Sequence, residues 1–377
     1  MKKICVISLC FVLLLNLTGG FKANALENPD INAKAAVFME KGGKRVLYQK
    51  NAHVKLPMAS TTKIMTALVA IENGNLSEVI TIPPEASGVE GSSIWLSPGE
   101  KHTLEDLLYG LMLSSGNDAA VAVALHIGGS VENFAAMMNA RAKELGAMDT
   151  NFVTPHGLHD DNHYTTAYDL ALISSVAMEN PKFAEIVNTR NKTIPWEGSK
   201  WDRALRNKNK IIWQYDGGNG IKTGYTSNAG RCLVSAALRE EMQVVGVVLN
   251  CPDMFEDSKK MLDYCFDTYD MTTVYNKDDS FGKVPVEGAT VKEVEFLADV
   301  SVALPLTDEE KSSVYTEVKM NENLVAPIKA GDEIGEVNIF VGGNMIASAK
   351  LKATKNVVKN SLKYNIMRII TKWNDVL

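Results

Sequence analysis

Two kinds of hydrophobic pattern divide this chain. Between Ser60 and about Ala177, apolar residues crowd into Ala-, Leu- and Met-rich stretches at helical spacing. Loops at Pro83-Pro84, Ser97-Pro98-Gly99 and Pro155-His156-Gly157 break that region. On either side the apolar runs are short. Residues 35–39 and 46–48 flank Lys41-Gly42-Gly43-Lys44 and predict a hairpin with a Gly-rich turn. Strand character returns at 220–224, 232–238 and 244–249, with Arg239-Glu240-Glu241 turning between the last two, and 255–269 predicts a closing helix. Strands at both ends with helices between them predict an α+β domain, one antiparallel sheet flanked by helices.

The pattern changes again after about residue 270. From 284 to 352, Val, Ile and Thr runs alternate with Asp, Asn and Gly turns, which predicts a small all-β domain. In the tail, Val358, Leu362, Ile366, Ile369, Ile370, Trp373 and Leu377 recur at three- and four-residue spacing. Lys355, Lys359, Lys363, Arg368 and Lys372 sit mostly off that stripe. This predicts a basic amphipathic helix, too charged to span a bilayer. The expected boundaries are therefore 26–271 for the first domain, 272–355 for the β-rich domain and 356–377 for the helix.

The first residues change the compartment. Met1-Lys2-Lys3, an apolar run over 4–17 and the small-residue site Ala23-Asn24-Ala25 predict an export signal over 1–25, cleaved before Leu26. Leu9 before Cys10 argues against a lipid-modified cysteine. Cys232, Cys251 and Cys265 would remain, too few for a disulfide framework. The tail then predicts peripheral attachment to the outer face of the cytoplasmic membrane, the alternative being a helix docked on the β domain. A net charge of −6 with 22% charged residues gives no sign of nucleic-acid binding. No metal-ligand spacing or nucleotide loop implies a metal or cofactor.

Three short motifs carry the candidate chemistry. Ser60-Thr61-Thr62-Lys63 precedes Ile64, Met65, Ala67, Leu68, Val69 and Ile71, a run with no polar face, and Glu72-Asn73-Gly74 offers a stop. That predicts a buried helix with Ser60 at its head and Lys63 one turn on, on the same side. A serine there is a candidate nucleophile, with free backbone N–H groups close by. Lys63 can take its proton only when neutral. An ordinary lysine is neutral at pH 7 about one time in 2,500, a cost of roughly 4.6 kcal/mol. Burial and a second cation, for which Lys222 is a candidate, lower that cost. The bland alternative makes Ser60 a helix cap and Lys63 a snorkelling surface lysine.

Ser115-Gly116-Asn117 breaks a helical run over 107–113. Ser115 can relay a proton, and Asn117 can hold a substrate amide by its donor and acceptor. Lys222-Thr223-Gly224 lies on an expected edge strand, where Lys222 and Thr223 suit a carboxylate and Gly224 lets a peptide lie against the backbone. A second S-x-x-K match, Ser280-Phe281-Gly282-Lys283, lacks helical context and reads as chance. His156 is assigned no catalytic role.

The three motifs in this order resemble the low-molecular-mass penicillin-binding proteins, the serine D-alanyl-D-alanine carboxypeptidases. Gly91-Ser92-Ser93, Pro155-His156-Gly157-Leu158 and the text around the second and third motifs add to the likeness, which covers about 32–269 strongly and the rest loosely. The resemblance implies attack by Ser60 on a stem peptide ending in D-Ala-D-Ala, with Lys63 as base and Ser115 as proton carrier. It implies substrate binding by Asn117, Lys222, Thr223 and Gly224, and an oxyanion hole from the backbone N–H groups of Ser60 and Tyr225. β-Lactams would acylate the same serine. Some relatives carry an arginine where Asn207-Lys208-Asn209 stands, and Lys208 is left out of the expected site. The alternatives are a D,D-endopeptidase, a β-lactamase or a non-catalytic peptidoglycan-binding protein. Against a class A β-lactamase, none of Glu132, Glu144, Glu179, Glu185 and Glu197 has an asparagine four residues on.

Overall fold

The strand Met242–Leu249 is buried at every position, as the centre of a sheet covered on both faces must be. It belongs to an antiparallel five-stranded sheet, in the order 46–50, 35–40, 242–249, 230–239, 218–226. Alternate side chains feed two different cores. Val37, Met39, Val245 and Val247 face a helical layer that contains Leu68, Leu108 and Val123. Ala36, Phe38, Val244 and Val248 face the closing helix Met254–Thr268 through Met261, Leu262 and Cys265. The expected hairpin forms, with strands Ala35–Glu40 and Val46–Lys50. The computed structural model describes residues 29–374, so the expected export signal lies outside the described residues.

The helical layer includes Lys63–Asn73, Leu104–Leu113, Asn117–Gly128, Val131–Glu144 and Ala167–Ala177. Local chemistry sets the ends. Thr103 and Asp106 form a capping box before Leu104, and Thr166 accepts from Asp169 N at the start of the last helix. Among the described residues, no single helix is long and apolar enough to cross a membrane. Cys232, Cys251 and Cys265 are all buried and free.

A second, mostly β domain follows. Its five strands run in the order 280–285, 293–298, 344–353, 333–341, 314–320 over a core that includes Val294, Val337, Ile339 and Leu351. Ser280 lies on the first of these strands and donates to Glu295 Oε1 at 2.8 Å, so the second S-x-x-K match is structural. The tail departs from expectation. Val357, not Val358, is buried in the β core, where it pairs with Ile328, and Lys359 pairs with Ala289. The helix therefore starts at Leu362, not at Asn356, and runs to Asn374 with Leu362, Ile366, Met367 and Ile370 exposed. Leu377 lies outside the described residues.

Candidate active site

Ser60 sits in a 3-10 turn, Ala59–Thr62, just ahead of the helix Lys63–Asn73. The expectation of Ser60 as the helix head is thus corrected by one short turn. Ala59 adopts φ 49°, which swings the chain so that Ser60 faces outward while Thr61 and Thr62 stay buried. Thr61 Oγ1 donates to Met58 O at 2.6 Å and Thr62 Oγ1 to Ala59 O at 2.8 Å, tying the turn from inside.

Lys63 is fully buried, and its Nζ meets three oxygens: Ser60 Oγ at 2.9 Å, Asn117 Oδ1 at 2.7 Å and His156 O at 2.7 Å. Two of these, an amide oxygen and a peptide carbonyl, can only accept. They use both N–H bonds of a neutral amine and leave its lone pair facing the Ser60 hydroxyl. Burial pushes the Lys63 ammonium well below its usual range, and Lys222 and Lys208 push it further against the opposing pull of Asp118. This arrangement can take a proton from Ser60 Oγ.

Asn117 is only partly used as expected. Its Oδ1 is committed to Lys63, and its Nδ2 donates to Glu90 O, which leaves one amide hydrogen for a ligand. The neighbouring Asp118, also buried, accepts from Ile94 N at 3.1 Å, Leu96 N at 3.0 Å and Ser93 Oγ at 2.6 Å. Asn117 N donates to Ser92 O at 2.7 Å. Together these contacts fix the loop that brings Ser92 to the site.

The cleft above Ser60 has a volume of about 270 Å3 and is lined by Ser60, Ser92, Ser115, Lys208, Thr223, Gly224 and Tyr225, with Met254 and Phe255 closing one side. Ser115, at φ 65°, reaches it from the break between two helices. The strand Gly218–Thr226 forms one edge of the sheet, as expected. It passes so close to the nucleophile turn that a Cβ on Gly224 would stand 3.0 Å from both Met58 O and Ser60 N.

Lys222 stands two residues before Gly224 on the edge strand and so shares the face that Gly224 turns toward the nucleophile turn. It is buried with Nζ donating to Thr223 O at 2.9 Å, and burial, aided by Lys208, lowers it to about 7. Lys208 lines the cleft, donates to Ser92 Oγ at 3.4 Å and is lowered by burial. Sequence reasoning left it out; its place in an Asn-x-Asn segment before the edge strand was the available signal. His156 contributes through its carbonyl alone. Burial first, then Lys63, lowers its imidazole to about 3, and Nδ1 accepts from Leu158 N at 3.1 Å.

Comparison with known proteins gives the family. The family model described as D-alanyl-D-alanine carboxypeptidase matches residues 22–253. The chain belongs to that family. A second model, the C-terminal domain of penicillin-binding protein 5, matches residues 269–359. D-alanyl-D-alanine carboxypeptidase DacF of Bacillus subtilis is 34% identical over 352 residues, 90% of each chain. D-alanyl-D-alanine carboxypeptidase DacA of Haemophilus influenzae is 32% identical over 345 residues, 87% of this chain and 86% of the relative. Among solved structures, penicillin-binding protein 5 from Haemophilus influenzae is similar with a TM-score of 0.76 at 29% identity, over 88% of this chain and 99% of that one. A mutant form of the Streptomyces K15 DD-transpeptidase matches 64% of this chain and all of its own length, with a TM-score of 0.61 and 35% identity. The likeness read from three motifs thus extends over both domains.

Proposed function

We propose that this protein is a serine D,D-carboxypeptidase that removes the terminal D-alanine from peptidoglycan stem peptides through an ester on Ser60. Membership of the D-alanyl-D-alanine carboxypeptidase family gives the reaction class. The observation that carries the residue assignment is the position of Lys63 Nζ, 2.9 Å from Ser60 Oγ with its other contacts made to two acceptors. Ser60 Oγ attacks the carbonyl of the penultimate D-alanine as its proton passes to Lys63 Nζ. The backbone N–H groups of Ser60 and Tyr225 receive the oxyanion, each donor worth about 10²- to 10³-fold in rate. Ser115 carries the proton to the departing D-alanine nitrogen, the C–N bond breaks, and water later cleaves the ester.

The free carboxylate of the substrate is held by Thr223 and Lys208, with the buried Lys222 contributing charge. The remaining amide hydrogen of Asn117 takes a substrate carbonyl, and Gly224 keeps the strand edge open for the peptide. A β-lactam reacts with Ser60 in the same way and then stays. Among the described residues no carboxylate lines the cleft. Of the glutamates weighed above, Glu144 binds Arg141, Glu179 binds Lys44 and Glu185 binds Lys182. Release of the penicilloyl ester is therefore slow, unlike that of a β-lactamase. Labelled penicillin should add one equivalent of mass to the Ser60 peptide; attachment elsewhere, or rapid multiple turnover, would overturn the assignment.

The place of action follows from the same reading. Export by the leader over 1–25 and attachment by the basic helix Leu362–Asn374 would set the enzyme on the outer face of the cytoplasmic membrane. The exposed Leu362, Ile366, Met367 and Ile370 favour a lipid surface over docking on the β domain.

A further inference from the structure

His163 lies outside all three motifs, yet it joins the two backbone segments that hold Ser60 and Lys63. Its side chain is buried. Nδ1 accepts from Val153 N at 2.9 Å and from Thr154 N at 3.3 Å. Peptide N–H groups can only donate, so Nδ1 carries the lone pair and Nε2 carries the proton. Nε2 stands 2.7 Å from Thr62 Oγ1, which therefore accepts from it and gives its own hydrogen to Ala59 O at 2.8 Å. Burial, with Lys63 and His159 adding to it against Asp160, lowers the imidazole to about 4, which keeps it neutral in this role near pH 7.

The two ends of this chain of bonds matter. Ala59, with its positive φ, is the residue before Ser60. Val153 and Thr154 open the loop whose next carbonyls, Pro155 O and His156 O, receive Thr66 Oγ1 at 2.6 Å and Lys63 Nζ at 2.7 Å. Gly157 in that loop, at φ 85°, packs so tightly that a Cβ there would stand 1.9 Å from Ala59 O. Loop and turn therefore pack closely, and His163 adds a side-chain bridge between them beside those of Thr66 and Lys63.

We propose that His163 is a positioning residue that sets the Ser60–Lys63 distance by tying the Val153–Thr154 backbone, through Thr62, to the nucleophile turn. This rests on the reading of Ser60 and Lys63 as nucleophile and base. It makes His163 a determinant of acylation rate and not of ligand binding, since it touches no cleft residue other than through the turn.

Two amide side chains separate its two functions. Gln places an N–H near the Nε2 position and keeps the donor to Thr62; Asn places an oxygen near Nδ1 and loses that donor. The experiment measures acylation by a chromogenic penicillin, per titrated active site, in the wild type, His163→Gln, His163→Asn and Thr62→Val. Noncovalent affinity, read from the saturation of the acylation rate, is measured alongside. We expect His163→Asn and Thr62→Val to lose about 10- to 10²-fold in the limiting acylation rate, the range a misplacement of about 1 Å can carry. Their saturation constants should be unchanged, and His163→Gln, which keeps only the Thr62 end of the bridge, should be slowed in the same way. A rate within about twofold of wild type for either His163→Asn or His163→Gln would overturn the proposal. If His163→Asn fails to fold, Thr62→Val reads the same link from its other end, and an undiminished rate there would overturn it too. Failure of the wild type to be labelled at Ser60 would instead sink the underlying mechanism.

Discussion

Lys63 Nζ lies 2.7 Å from the carbonyl oxygen of His156, a residue whose imidazole takes no part in the chemistry. With Asn117 Oδ1 at the same distance, this contact fixes Nζ so that the neutral amine turns its lone pair to Ser60. The base is thus defined by what surrounds it as much as by its own chain position.

Asn117→Asp tests that definition. The change is nearly isosteric and puts a carboxylate against Lys63 Nζ, which raises the pKa that burial and two cations now hold down. Acylation at neutral pH should fall by about 10²-fold or more, the scale of general-base catalysis, and recover as pH rises. A pH profile of acylation by labelled penicillin checks this.

The wild-type pH profile should be bell-shaped in kcat/KM. Lys63 has a lowered pKa, so it becomes an active base as pH rises through a value well below the usual lysine range. Lys222, lowered to about 7, loses its charge as pH rises further, and carboxylate attraction fades with it. The alkaline limb should therefore fall near neutrality. A bound carboxylate stabilises the charged lysine, so the limb in kcat should lie at higher pH than that in kcat/KM. Steady-state release of D-alanine over a pH series measures both.

Lys208→Ala should raise KM for a carboxylate-ended peptide by about tenfold or more, the weight of a hydrogen bond to a charged group. Removing this cation should also move the alkaline limb upward, because Lys208 is one of the groups that lowers Lys222.

Lys222→Met should trade activity for stability. Between about 7 and the ordinary lysine value the unfolded chain holds a proton on residue 222 that the folded chain lacks, so wild-type stability rises with pH there. The methionine variant should lack that rise and melt higher at and below neutral pH, while losing activity. Thermal unfolding across pH measures this.

Truncation after Asn360 should free the protein from membranes and leave D-alanine release from soluble peptides unchanged. The cut must fall there because Val357 is buried in the β domain and Asn360 N donates to Gly288 O at 2.7 Å. Removal from Asn356 would unseat that core. Vesicle sedimentation with anionic lipid, before and after truncation, is the measurement.

The parts of the site that were legible are those encoded by residue type. Ser60, Lys63, Ser115 and Thr223 announce themselves by chemistry and spacing, and Gly224 by the room it leaves for a peptide against the backbone. Three things were not legible, each for a physical reason. The positive φ of Ala59 and the use of His156 O are backbone properties, which side-chain pattern does not carry. Lys208 at the cleft was not legible, because its place depends on how the Asn207–Asn209 segment meets the sheet edge. The tail misled because Val358 fits a helical stripe that begins at Leu362, while Val357 beside it belongs to the β core. Short apolar runs satisfy both periods.

The central claim is that this family member works through an ester on Ser60. Release of free D-alanine from a D-Ala-D-Ala peptide, measured for wild type and Ser60→Ala at equal folded concentration, tests it most directly. The wild type should release D-alanine and the variant none above background. Comparable release by Ser60→Ala would contradict the account.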